Sequence, residues 1–184
     1  MTTPSGSQAA DPLTRAGSWQ LDPAGSSVTF QHKTMWGLAT VRGTFETVRG
    51  SGEIHPDGTA SGRLEIDAAS LGTKNGTRDT HLRSADFFHA DAHPQIVAEI
   101  GPVTRQDGST AAVAGTLTVR GISKPIQLTA RVTQATDDAI TIEADGEFSR
   151  ADFGMTWNRL GMVTGNATVS VTARFVPATA KQPA

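Results

Sequence analysis

Apolar and polar residues alternate with a period of two along most of this chain. Val28, Phe30 and His32 alternate with Thr29, Gln31 and Lys33. The same rhythm returns at Leu64, Ile66 and Ala68, and at Leu117 and Val119. It runs longest at Ile126, Leu128, Ala130 and Val132, at Ile140, Ile142 and Ala144, and at Val169, Val171, Ala173 and Phe175. Successive side chains of a strand point to opposite faces, so this pattern predicts strands buried on one side only. Less regular strands are expected at 39–47, 49–55 and 96–104. Turn signals separate them: Pro-Asp-Gly at 56–58, Gln-Asp-Gly at 106–108, Gly121 to Pro125, and Asp137-Asp138.

One stretch breaks the rhythm. Leu82, Ala85 and Phe88 sit at helical spacing, with Asn75 or Thr77 as a cap and Asp79 in the first turn. This predicts one short helix near residues 77–88. One helix cannot cover eight or nine half-apolar strands, so the sheet must cover itself. The expected fold class is all-β: a closed antiparallel barrel of about eight strands. Five inward positions are alanine: Ala68, Ala98, Ala130, Ala144 and Ala173. A barrel of that size is either filled by side chains or holds one slender ligand. Small inward residues leave room for the second, unless large neighbours such as Phe30, Phe45 and Phe148 use it.

Composition sharpens this picture. The chain has 184 residues and a mass of 19.2 kDa, the size of one domain with tails. It has 25 Ala and 25 Thr but only 10 aromatic residues, with no Tyr. The predicted domain covers 18–177, between disordered tails at 1–17 and 178–184 that are rich in small and polar residues. There is no Cys, which excludes disulfides, thiolate metal sites and a cysteine nucleophile. A net charge of −2 and a pI near 6.2 argue against a nucleic-acid partner. No apolar run reaches the ~20 residues of a membrane-spanning helix. The first 18 residues lack the apolar core of a secretory signal, so a cytoplasmic location is expected.

The polar candidates are few. His81, His89 and His93 lie near Asp79, Asp86 and Asp91, which raises a metal-dependent chemistry. Pro94 biases His93 out of the helical region, which speaks against a shared helical face. Arg78, Asp79 and Asp86 either tie helix to barrel or meet a polar head group. His32 is in register with inward residues, as a core histidine or a head-group contact. Met35, Trp36 and Leu38, and then Met155, Trp157, Leu160 and Met162, lie in two connecting segments that would line or cap an entrance.

Several motifs, taken in order, resemble the YceI family of lipid- or polyisoprenoid-binding proteins with a lipocalin-like barrel. They are Trp19-Gln-Leu-Asp-Pro23, Ser27-Val-Thr-Phe30 and Val41-Arg-Gly-Thr-Phe45. Then come Ser70-Leu-Gly-Thr73, Arg78-Asp79-Thr-His81-Leu-Arg-Ser84-Ala-Asp86-Phe-Phe88, Gly115-Thr-Leu-Thr-Val-Arg-Gly121 and Phe148-Ser-Arg-Ala-Asp-Phe-Gly154. The resemblance implies a hollow barrel that carries or sequesters a long-chain amphiphile, such as a polyisoprenoid, an isoprenoid quinone or a fatty-acyl lipid. It brings no catalytic residue and no cofactor. Contacts at the cavity and its mouth are expected from Phe30, His32, Met35, Trp36, Leu38, Phe45, Leu64, Ile66, Ala68, Leu82, Phe87, Phe88, Ile96, Ala98, Leu128, Ala130, Ala144, Phe148, Met155, Trp157, Leu160 and Met162. Arg78, Asp79, His81 and Asp86 hold the helix or the head group. Partners under this reading are the lipid, a membrane touched only transiently, and a second copy in a homodimer. The competing readings are a metal-dependent enzyme acting on a lipid head group through the His81, His89 and His93 region, and a filled structural barrel with a protein partner.

Overall fold

The computed structural model describes residues 16–163 and 165–178. Among these described residues are eleven strands: β1 (Gly17–Leu21), β2 (Ser27–Thr34), β3 (Ala39–Phe45), β4 (Val48–Ile54), β5 (Ala60–Asp67), β6 (Leu71–Gly72), β7 (Gln95–Asp107), β8 (Thr110–Val119), β9 (Ile122–Ala135), β10 (Ile140–Phe148) and β11 (Ala167–Pro177). All pairings are antiparallel. The hydrogen-bonded order is β1-β4-β5-β7-β8-β9-β10-β11-β2-β3-β6, and β1 also pairs with β11. That pairing closes the sheet into a lipocalin-like barrel.

Eight wall positions account for these strands. β1 and β2 follow one another along β11, at Leu21↔Phe175 and Ser27↔Thr172. β3 and β4 form one strand broken at Glu46 and Thr47, where Ser70 accepts from and caps the freed backbone. β6 only patches the edge of β3. Closure leaves most of the wall without an exposed edge, the usual hazard of a sheet this size.

The predicted helix is shorter than its apolar spacing suggested. α1 spans Gly76–Arg83 and is capped by Asn75, whose side chain accepts from Arg78 N at 3.1 Å. It stops at Ser84, whose backbone is extended and whose hydroxyl donates to His81 O at 2.7 Å. Serine competes for helical carbonyls in this way, so the helix ends before Phe87 and Phe88. The expected span of 77–88 is therefore corrected at its far end. The break sends the two rings apart, Phe87 against Trp157 and Phe88 against Phe30 and Phe45.

The barrel has two unlike ends. Here the closed end is the one carrying the β2–β3 turn, the segment 68–94 with α1, the β8–β9 turn and the segment 149–166. The opposite end carries the turns at 55–59, 108–109 and 136–139. The expected tails lie almost wholly outside the described residues, although Gly17 already belongs to β1.

Candidate functional site

The barrel encloses a cavity of about 450 Å³. Its wall is built from inward positions of all the long strands. Of the predicted contacts, Phe30, Phe45, Leu64, Ile66, Phe88, Ile96, Ala98, Leu128, Ala130, Ala144, Phe148 and Met155 line it. Alanine keeps it open on neighbouring strands: Ala98, Ala130, Ala144 and Ala173 all face the space. Trp19, Leu117, Val171, Phe175 and Arg150 also line it, and the sequence reading did not select them as contacts. Four of these five carried a visible signal, because they sit in register with alternating strands. Arg150 had none beyond its place in a motif.

The closed end is sealed by aromatic packing. Phe45 and Phe88 meet edge to face with centroids 5.6 Å apart, and Phe30 lies 5.9 Å from Phe45. Gly43 makes this possible, because a Cβ there would come within 2.4 Å of the Phe30 ring. Phe153 and Met155 are buried beside them.

Ten predicted contacts do not line the cavity. Ala68 is buried in the core below the connection to β6. Leu82 and Phe87 pack on the outside of that core, because the helix lies as a strap across the barrel end. Trp157 meets His81 edge to face at 4.6 Å and packs tilted against Phe87 at 5.5 Å, so it fastens the segment 149–166 to that strap. His32 sits near Arg150 and Asn166, outside the cavity lining. Met35, Trp36, Leu38, Leu160 and Met162 lie on two loops joined by the Thr34↔Val163 bridge and by Trp36 N donating to Met162 O at 3.4 Å.

These loops form an apolar tip. Trp36 is 63%, Leu38 86% and Leu160 77% exposed. Met35 and Trp36 have φ of +52° and +55°, and Leu160 has +55°. Bulky residues rarely adopt this region, which costs roughly 1–3 kcal/mol each. Asn-Gly ordinarily occupies consecutive positions of this kind in a hairpin. The stretches 28–45 and 154–163 contain Lys33, Arg42 and Arg159 and no acidic residue, in a chain with net charge −2.

The helix motif residues bind the strap rather than the cavity. Asp79 accepts from Thr73 N at 2.9 Å and from the Thr73 hydroxyl, while Arg78 Nε and Nη2 donate to Thr73 Oγ1 and O at 2.7 and 2.9 Å. Thr73 is only 6% exposed, so its polar groups have no water to fall back on. The variant Asp79→Ala should therefore lower stability by about 1–3 kcal/mol. Chemical denaturation measures this, and the neutral change Asp91→Ala on the exposed loop serves as the control.

The histidines do not assemble a metal centre. His81 Nε2 lies 2.9 Å from an Asp86 carboxylate oxygen, while the His89 and His93 rings face each other at 5.5 Å. Among the described residues, no group of three His, Asp or Glu could hold a metal ion.

Burial holds the pKa of His32 below its ordinary 6.5, the nearby Arg150 charge lowers it further, and a hydrogen bond to the Asn166 backbone opposes both. Its Nε2 is buried with no partner among the described residues. The unfolded chain therefore binds a proton at His32 that the folded one resists. Stability from this group is complete above about pH 6.5 and falls as pH drops from there toward the lowered value. In thermal melts, His32→Gln should show a smaller loss of Tm between pH 7 and pH 5 than the parent.

The wall itself is interrupted. β9 and β10 pair from Ile140↔Ala135 to Ala144↔Ala130 and then separate toward the closed end. β9 remains on β8 as far as Ile122, and β10 remains on β11 as far as Phe148. The seam holds a cleft of about 610 Å³. Ile126, Leu128, Ala130, Ala144, Gly146 and Phe148 line both cleft and cavity, so only their side chains part the two spaces there.

Residues 19–176 match the YceI-like domain across nearly all of this barrel. The chain belongs to the YceI family. Protein YceI of Shigella flexneri is 30% identical over 126 residues, 65% of this chain and 65% of that protein. This chain thus covers just under two thirds of that YceI relative. A UPF0312 protein of Serratia proteamaculans is 29% identical over 149 residues, 77% of each chain. The fold recurs in BcnA of Burkholderia cenocepacia, with a TM-score of 0.76 at 20% identity, covering 86% of this chain and 99% of that one. It recurs also in a polyisoprenoid-binding domain from Saccharophagus degradans, with a TM-score of 0.71 at 16% identity, covering 87% and 98%. The YceI assignment agrees with the motifs that pointed to it, from Trp19 through Phe148 to Gly154.

Proposed function

We propose that this YceI protein is a non-catalytic carrier of a long-chain amphiphile, held with its chain in the barrel cavity. The observation that carries this reading is an open space of about 450 Å³ whose wall is almost wholly apolar. At about 24 cal/mol per Å³, an empty apolar cavity of that size costs on the order of 11 kcal/mol. Whole domains are stable by only about 5–15 kcal/mol. An apolar occupant offsets much of that cost, so the filled barrel is the more stable form. Each buried methylene returns about 0.8 kcal/mol, so a long chain offsets the cost where a small molecule does not. A polyisoprenoid suits the slender shape, and the Saccharophagus relative is described as binding one.

The aromatic seal blocks the closed end itself, so the ligand enters from the side, through the wall near that end. The seam between β9 and β10 gives the chain a lateral way in. The exposed Trp36, Leu38 and Leu160, with the exposed Lys33, Arg42 and Arg159 on the same segments, suit transient contact with an anionic lipid surface. No helix among the described residues is long and apolar enough to cross a membrane.

Titration of delipidated protein with an isoprenoid quinone tests the carrier reading. Trp19 is 4% exposed and lines the cavity, so a bound quinone should quench its fluorescence in a saturable, one-to-one manner. Unsaturable quenching equal to that of free tryptophan would refute it.

A further inference from the structure

We propose that Arg150 anchors an anionic head group, a phosphate or a carboxylate, at the closed end of the cavity. This rests on the carrier reading and adds the chemistry of the ligand's end.

Four charged residues line the cavity: Glu53, Arg63, Arg105 and Arg150. Glu53, Arg63 and Arg105 are exposed and lie toward the opposite end. Arg63 is already committed to Glu65 and Glu99, at 2.8 and 2.6 Å. Arg150 alone among the four is half-buried, and it sits in the segment that seals the closed end. Its Nη1 donates to Met155 O at 3.1 Å and to Trp157 O at 2.5 Å. Both protons of Nη1 are thereby used, and the side chain is fixed in place. Among the described residues, no hydrogen bond reaches its Nε–Nη2 edge and no carboxylate pairs with it.

That edge is the fork with which arginine receives two oxygens of a phosphate or carboxylate. A partly desolvated cation without a counter-ion is an unbalanced arrangement, and an anion balances it. Burial disfavours the charge on Arg150, as expected where no acid compensates it. The next polar group, His32, is held neutral by burial and by Arg150 itself. The closed end therefore offers one fixed positive charge on the cavity wall, held by the carbonyls of Met155 and Trp157. A ligand so anchored runs its chain along the alanine-lined wall toward the opposite end.

Four ligands with one C20 chain test the assignment: geranylgeranyl phosphate, geranylgeranoic acid, geranylgeraniol and the hydrocarbon phytane. Dissociation constants are measured for the parent, for Arg150→Met and for Arg150→Gln. The Gln variant retains a donor for the Met155 and Trp157 carbonyls. The parent should prefer one or both anions over the alcohol and phytane by about ten- to a hundredfold. Which anion gains more identifies the head group as phosphate or carboxylate. Both variants should lose that preference while binding phytane as the parent does. Equal affinity of the parent for all four heads would overturn the anchor and leave the carrier reading standing. An equal loss across all four in both variants would also overturn it, since Arg150 would then only fasten its loop. Failure of the parent to bind any of the four would contradict the carrier reading itself.

Discussion

Replacing Ala98 and Ala130 together with leucine should abolish ligand uptake while leaving the protein as stable as before, or more so. Both alanines are buried, at 8% and 4% exposure, and both face the cavity, at different levels of the wall on β7 and β9. Each substitution adds about three carbons, and burying them is worth roughly 2.4 kcal/mol per site. In a solid core the same carbons would force strained rotamers and cost about 1–3 kcal/mol per site. The sign of the stability change therefore separates a hollow barrel from a filled one. Ligand affinity should fall by at least about tenfold per blocked pair of methylenes, since each lost methylene removes about 0.8 kcal/mol. Denaturant melts and isoprenoid titrations on the same preparation read both quantities. A double variant that is destabilised and still binds at parental affinity contradicts the account.

Trp36→Asn combined with Leu38→Ser should nearly eliminate association with anionic vesicles without unfolding the barrel. The two side chains project from a turn that packs on little else, at 63% and 86% exposure. Moving them from water into a lipid surface is worth about 3–6 kcal/mol together, or two to four powers of ten in partition. Asparagine accepts the left-handed conformation at position 36 far better than tryptophan, so stability should hold or rise slightly. Function and stability then move in opposite directions, which a merely structural role for Trp36 does not allow. Lys33, Arg42 and Arg159 add about 1 kcal/mol each near an anionic surface, so salt should weaken the parent's binding. Co-sedimentation with phosphatidylglycerol vesicles measures this. Unchanged binding of the double variant would remove the tip from the account.

Much of the barrel was legible in the sequence, because period-two alternation is a direct consequence of one buried face. Val169, Val171, Ala173 and Phe175 alternate, and all four line the cavity. Four of the five inward alanines were equally readable, while Ala68 falls in the turn after β5 and not on the cavity wall. What stayed less legible has a common physical origin. Short connecting segments carry no periodicity, so nothing in Met35-Trp36-Gly37-Leu38 or Arg159-Leu-Gly-Met162 says whether an apolar side chain turns in or out. The strap misled for a related reason. Leu82, Ala85 and Phe88 keep helical spacing, yet Ser84 ends the helix through its own hydroxyl. Arg150 was hidden because its role depends on two carbonyls and a cavity wall that only the folded chain brings together.

Native mass spectrometry of the protein purified from a bacterial host, before and after organic extraction, tests the central claim most directly. The account predicts a single adduct at one per chain, with the mass of a long-chain amphiphile, that extraction removes and added isoprenoid restores. A folded protein that carries no adduct and takes up none of the added isoprenoids, quinones or fatty acids would contradict it.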